Sequence, residues 1–141
     1  RLRAGADPDG ADAALVLAHR RPRARLAEGE TARLAGCRAL VDVSDGLAAD
    51  LGHLASASGV GYRLDAVPVA EGATLDEALG GGEDYELVLA TPDPEALVAA
   101  FAAAGLAPPL ALGRCSADTA ERTLAGAPVP PAGYEHPFTT A

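Results

Sequence analysis

The chain has 141 residues, enough for one domain with a real hydrophobic core, and its 49% hydrophobic content excludes a disordered chain. Its formal net charge of -9 disfavours nucleic acid and anionic lipid as partners, and no apolar run approaches the ~20 residues that span a bilayer. Aromatic residues reach only 4% and lysine is absent, so the core must be built from Leu, Val and Ala, and a lysine-dependent phosphate loop is ruled out.

Along the chain, the polar stretch 1–9 reads as an entry loop, and Ala14, Leu15 and Ala18 give Asp12 to His19 a helical stripe that ends at Arg21-Pro22. Arg23 to Leu34 is a second helix, closed by Gly36. Ala39 to Val43 is short, apolar and β-branched, which predicts a buried strand. Ser44 then offers a helix N-cap, with Asp45 in the first turn, and the helix runs to Ser58 on a stripe of Leu47, Leu51, Leu54 and Ala55 before Gly59 stops it.

Val60 to Ala66 alternates as a strand, residues 68–74 form a loop, and Leu75 to Leu79 makes a short helix broken by Gly80-Gly81-Gly82. Tyr85 to Ala90 is a strand, Pro94 to Ala104 an amphipathic helix with Gly105 beyond its end, and Leu110 to Arg114 and Arg122 to Leu124 are short strands. The tail from Pro128 to Ala141 is irregular. Mixed strands and helices without a repeat predict an α/β (α+β) domain, a mixed sheet layered with helices.

Two segments carry polar groups with a chemical logic. In Val41-Asp42-Val43-Ser44-Asp45-Gly46-Leu47, two carboxylates flank a strand-to-helix junction. Asp42 inside an apolar strand needs a metal ion, a backbone cap or an arginine partner, because an unpaired buried charge is expensive. Ser44 and the first helical N–H groups point where an anion such as phosphate could bind, and Gly46 allows close approach to the backbone. An ordinary N-cap explains the same residues. The second segment is Gly80-Gly81-Gly82-Glu83-Asp84-Tyr85-Glu86-Leu87, a glycine turn that aims acids at a cleft or simply ends a helix before a solvated strand. Asp50 and His53, three apart, read as a surface pair. Cys37 and Cys115 show no disulfide or metal spacing and read as reduced thiols of a cytoplasmic protein.

Taken together, the run from Asp42 through Asp50-Leu51-Gly52-His53, the string Gly81 to Leu87, the ending Gly133-Tyr134-Glu135-His136-Pro137-Phe138, and the basic residues and proline at His19-Arg20-Arg21-Pro22 resemble thiamine-monophosphate kinases. These enzymes are related to aminoimidazole ribonucleotide synthetase. The resemblance covers nearly the whole chain, with Pro137 and a short loop 67–79 as departures. It implies that residues 1–141 are the C-terminal domain, that an N-terminal domain holding most ATP and magnesium ligands and the homodimer interface lies upstream of Arg1, and that the tail 128–141 closes the substrate side. It implies transfer of the γ-phosphoryl group of ATP to thiamine monophosphate, giving thiamine diphosphate. By motif position, Asp42 and Asp45 resemble Mg2+ ligands, Ser44 an ATP contact, and Glu83 and Tyr134 substrate contacts, with no side chain acting as nucleophile. The alternatives are another ATP-using enzyme of the superfamily, acting on a purine-pathway or maturation substrate, and a non-catalytic truncated remnant. The resemblance also implies that the isolated fragment is inactive.

Overall fold

The computed structural model describes residues 10, 13–130 and 132–134. Five helices and six strands follow one another as α1 (Ala13–Arg20), α2 (Leu26–Leu34), β1 (Ala39–Asp42), α3 (Leu47–Ser58), β2 (Gly61–Leu64), α4 (Leu75–Gly80), β3 (Leu87–Ala90), α5 (Pro94–Ala103), β4 (Gly113–Ser116), β5 (Arg122–Leu124) and β6 (Ala127–Pro128) among the described residues. The fold is α/β, with helices layered on two small sheets. One is the antiparallel pair β1–β3; the other has the order β4-β2-β5-β6 and is mixed, because β2 runs antiparallel to β4 and parallel to β5.

Local chemistry sets most boundaries. Gly59, at φ 65, takes the left-handed turn that ends α3, and Val60 N–H closes back onto the Ala55 carbonyl at 3.0 Å. Thr74 and Glu77 cap α4 reciprocally, the Thr74 N–H reaching Glu77 Oε2 at 2.8 Å and the Glu77 N–H reaching Thr74 Oγ1 at 3.3 Å. Asp93 caps α5 by accepting from the Ala96 N–H at 3.0 Å, with Pro94 in the first turn.

Packing is spread over three buried clusters. Ala32 of α2 meets Leu97 and Phe101 of α5; Val43, Leu47 and Val88 join α3 to the small sheet; Ala55, Tyr62 and Leu64 join α3 to the larger one. Leu51, Val67 and Leu112 touch both of the α3 clusters, so this helix ties the two sheets together. No described helix is long and apolar enough to cross a membrane.

Several expected elements are displaced. The strand expected from Tyr85 begins at Leu87, because Tyr85 and Glu83 sit at φ 52 and 66, outside extended backbone. The strand expected over 110–114 lies at Gly113–Ser116, where its partner β2 sets the register: Leu64 faces Gly113 and Gly61 faces Ser116. The second helix starts at Leu26, three residues later than the periodicity predicts.

The far edge of the larger sheet is held by Glu121. It accepts from Ser116 Oγ at 2.5 Å and from Arg63 Nε at 2.7 Å. The serine hydroxyl first, and then Arg63, hold its carboxyl below the ordinary carboxylate range. A lowered folded-state value means that the stabilisation is complete above the unfolded carboxylate value and is lost as pH falls through the folded one. Glu121→Gln is therefore expected to lower the thermal midpoint at pH 7, and the gap to wild type should close below about pH 4. A gap that persists undiminished at acid pH would contradict the ionic role.

Candidate functional site

Three stretches of chain, distant in sequence, are drawn together by main-chain hydrogen bonds. The pairing of β1 with β3 does not stop at Asp42 opposite Leu87. The Val43 N–H donates to the Glu86 carbonyl at 2.8 Å, the Tyr85 N–H to the Val43 carbonyl at 2.9 Å, and the Glu83 N–H to the Ser44 carbonyl at 2.8 Å. From the tail, the Tyr134 N–H donates to the Asp45 carbonyl at 2.8 Å. Residues 42–46, 83–86 and 134 thus meet at one end of the small sheet.

Glycine makes this approach possible. A Cβ on Gly82 would lie 2.5 Å from the Ser44 carbonyl oxygen, well inside contact. Gly46, at φ 118, has the backbone of Gly80 about 3.1 Å from where its Cβ would be. Glu83 and Tyr85 hold left-handed conformations without being glycine, at a cost of order 1 kcal/mol each.

The junction after β1 differs from the expected N-cap in a specific way. Ser44 does not cap the helix. α3 starts at Leu47 behind Gly46, with no side-chain cap, and Asp45 precedes the first turn. Asp50, one turn into the helix, reaches back instead: its Oδ2 accepts from the N–H groups of Ser44 at 2.9 Å, Asp45 at 2.9 Å and Gly46 at 3.2 Å. The N–H groups of Ser44, Asp45 and Gly46 are thus occupied by the chain's own carboxylate and not open to a phosphate. Nor is Asp50 half of a surface pair with His53: Asp50 is 3% exposed, while His53 lies at the surface.

Asp42 also departs from expectation. It does not lie in an apolar interior. Burial along β1 alternates, and Asp42 lies with Leu40 on the exposed face of the strand. It lines a cavity of about 370 Å³ together with Arg25, Leu26, Tyr85 and Leu87. Arg25 is fixed there by ion pairs with Glu86 and, at 3.3 Å, with Glu28. The Glu86 hydrogen bond raises the guanidinium pKa still further. Glu83 is exposed and has His19 Nε2 at 3.8 Å from its Oε2. Burial pushes the neighbouring Asp84 carboxyl up, and the charge of Glu86 adds to it. Tyr134 is 47% exposed, and its main-chain N–H ties it to Asp45.

Carboxylate oxygen is the donor set that magnesium prefers, and Asp42, exposed, and Asp45, half-buried, present it at the same junction. Among the described residues one trio of metal-capable side chains converges: single ligand atoms of Asp45, Asp50 and His53 lie within 4.8 Å of one another. Its imidazole nitrogen is a poor match for a hard cation, and one Asp50 oxygen is already taken by three N–H groups. The roles of Asp50 and Arg25 escaped the spacing argument; Asp50 stands in a segment that it singled out, whereas Arg25 lies in a stretch read only as a helix.

Residues 4–123 match the family described as AIR synthase related protein, C-terminal domain. The chain belongs to this family. Curated relatives agree: a thiamine-monophosphate kinase from Salmonella typhimurium is 43% identical over 89 residues, 56% of this chain and 27% of that protein. One from Caulobacter vibrioides is 37% identical over 108 residues, 67% of this chain and 30% of that protein. Among solved structures, a thiamine-monophosphate kinase from Stenotrophomonas maltophilia superposes with a TM-score of 0.66 at 35% identity, covering 82% of this chain and 40% of that one. AaThiL, solved in complex with AMPPCP and TMP, gives 0.68 at 31% identity, covering 89% and 41%. This AIR synthase-related domain thus spans less than half the length of each of these relatives. Its expected tail motif is only partly in view: Gly133 and Tyr134 are described, and His136, Pro137 and Phe138 lie outside the described residues.

Proposed function

We propose that this chain supplies the C-terminal share of a thiamine-monophosphate kinase site, where a phosphate oxygen of thiamine monophosphate takes the γ-phosphoryl group of ATP to give thiamine diphosphate and ADP. The observation that carries this reading is the convergence of residues 42–46, 83–86 and 134 through main-chain hydrogen bonds at one end of the small sheet. The naming of the relatives and the AMPPCP–TMP complex of a structural neighbour support it.

Transfer between two anions needs positioning and charge neutralisation more than a protein nucleophile. Magnesium, when bound, would supply that neutralisation. Asp42 and Asp45 are the residues that would hold it, both offering carboxylate oxygen. Ser44 offers a hydroxyl to the ATP phosphates. Glu83 offers an acid to the cationic side of thiamine, and the Tyr134 ring a face to stack on it. The tail would close the substrate side, and a homodimer is expected of the longer enzyme. Cys37 and Cys115 are both free thiols, in keeping with a cytoplasmic setting.

The test is ATP-dependent formation of thiamine diphosphate, by the chain alone and by the chain fused behind the N-terminal part of the Salmonella relative. Product from the fusion and none from the chain alone is the expected result. A folded fusion that forms no product would overturn the proposal. In the active fusion, Glu83→Gln should raise KM for thiamine monophosphate at least about tenfold, the scale of one charge-assisted hydrogen bond, and leave KM for ATP nearly unchanged. Equal effects on both substrates would remove Glu83 from the substrate side.

A further inference from the structure

We infer that Asp50 is a positioning residue: its buried carboxylate fills the concavity formed by the Ser44, Asp45 and Gly46 N–H groups, and so fixes the direction in which Ser44 and Asp45 present their side chains. The kinetic part of this inference rests on the kinase reading; the structural part does not.

Three successive N–H groups aimed at one point form a nest that binds an anion. Here the anion is Asp50 Oδ2, at 2.9, 2.9 and 3.2 Å, on a residue 3% exposed. A buried carboxylate is expensive unless it is fully hydrogen-bonded, and charge-assisted bonds are roughly twice as strong as neutral ones. Loop and carboxylate therefore hold each other in place. The loop needs such a hold, because Gly46, at φ 118, lacks a side chain that would restrict its backbone, and the helix has no side-chain cap. The consequence reaches the tail, since the carbonyl of the same Asp45 accepts the Tyr134 N–H. Asp50 acts through Asp45 and Ser44.

The experiment is residue-resolved amide hydrogen exchange by NMR on the 141-residue chain. In Asp50→Ala, the amides of Ser44, Asp45 and Gly46 should exchange at least about tenfold faster, with Tyr134 following, while the β2–β4 amides keep their wild-type rates. Formate at tens of millimolar should restore protection by entering the vacated nest. Unchanged exchange at 44–46 overturns the inference, and so does an equal loss across β2–β4, which would make Asp50 a determinant of global stability only. Asp50→Asn keeps the shape and removes the charge, and serves if the alanine variant does not fold. Its three amides should exchange at least about threefold faster than wild type, and no change overturns the inference. In the fused enzyme, Asp50→Asn should lower kcat at least about tenfold with KM for thiamine monophosphate within about threefold, the pattern of a misdirected neighbour rather than a lost substrate contact. Wild-type kcat there, with exchange altered, would overturn the positioning role. A fusion inactive even with Asp50 in place counts against the kinase reading alone, because the exchange results stand without it.

Discussion

Asp42→Asn in the fused enzyme is expected to lower turnover at least about 100-fold, or roughly 2.7 kcal/mol of transition-state stabilisation, and to leave folding intact. The two halves of this expectation have separate grounds. Asparagine keeps the size of the side chain and the main-chain pairing of residue 42 with Leu87, so β1 is not disturbed. The residue is exposed, and exposed substitutions commonly change stability by less than about 0.5 kcal/mol. What is lost is one negative oxygen facing the cavity beside Arg25 and Tyr85, where a cation would be held. Steady-state kinetics across a magnesium titration, together with a thermal melt, separate the outcomes. Activity near wild type at limiting magnesium would remove Asp42 from the metal site. A melt lowered by several degrees would mean that its role is structural.

The second large effect is expected at Gly82→Ala. The added methyl would sit 2.5 Å from the Ser44 carbonyl oxygen, a main-chain atom that no rotamer change can move. Relief requires the 42–46 and 80–86 stretches to part, which strains the Glu83-to-Ser44 and Tyr85-to-Val43 hydrogen bonds. Overpacking of this kind costs about 1–3 kcal/mol of stability. The functional loss should be larger in proportion, because a displacement of ~1 Å between positioned groups can cost about 100-fold in rate. A variant that melts and turns over like wild type would show that the two stretches do not need their close approach.

How far the sequence foretells this molecule can be judged at particular residues. Periodicity finds α3 and α5, because their stripes of Leu47, Leu51, Leu54 and of Leu97, Phe101 answer to a local repeat. It fails at Asp42, whose exposure depends on one face of β1 being left uncovered, a fact of tertiary packing that no window of residues contains. It fails at Ser44 for a different reason. Serine before a helix is a sound expectation, but Asp50 competes for the same N–H groups and wins with a full charge. The early end expected for α4 at the glycine run holds, whereas the extension of the next strand back to Tyr85 does not, because left-handed backbone at a tyrosine has no signature in composition. The motif residues were legible as motifs. That Arg25 is tied to Glu86, and His19 set beside Glu83, becomes visible only when the chain is folded.

The peptide groups on either side of Asp45 are engaged in opposite directions. The N–H is claimed by α3 through Asp50, and the carbonyl by the tail through Tyr134. In the proposed enzyme this makes one residue a yoke between a cation held by its carboxylate and an organic ring resting on the neighbouring tyrosine. Whatever firms the tail also firms the carboxylate, and thermodynamic reciprocity requires the cation to return the favour to the same degree. Affinity for each ligand would then be read as a property of the pair, measured correctly only when the concentration of the other is stated.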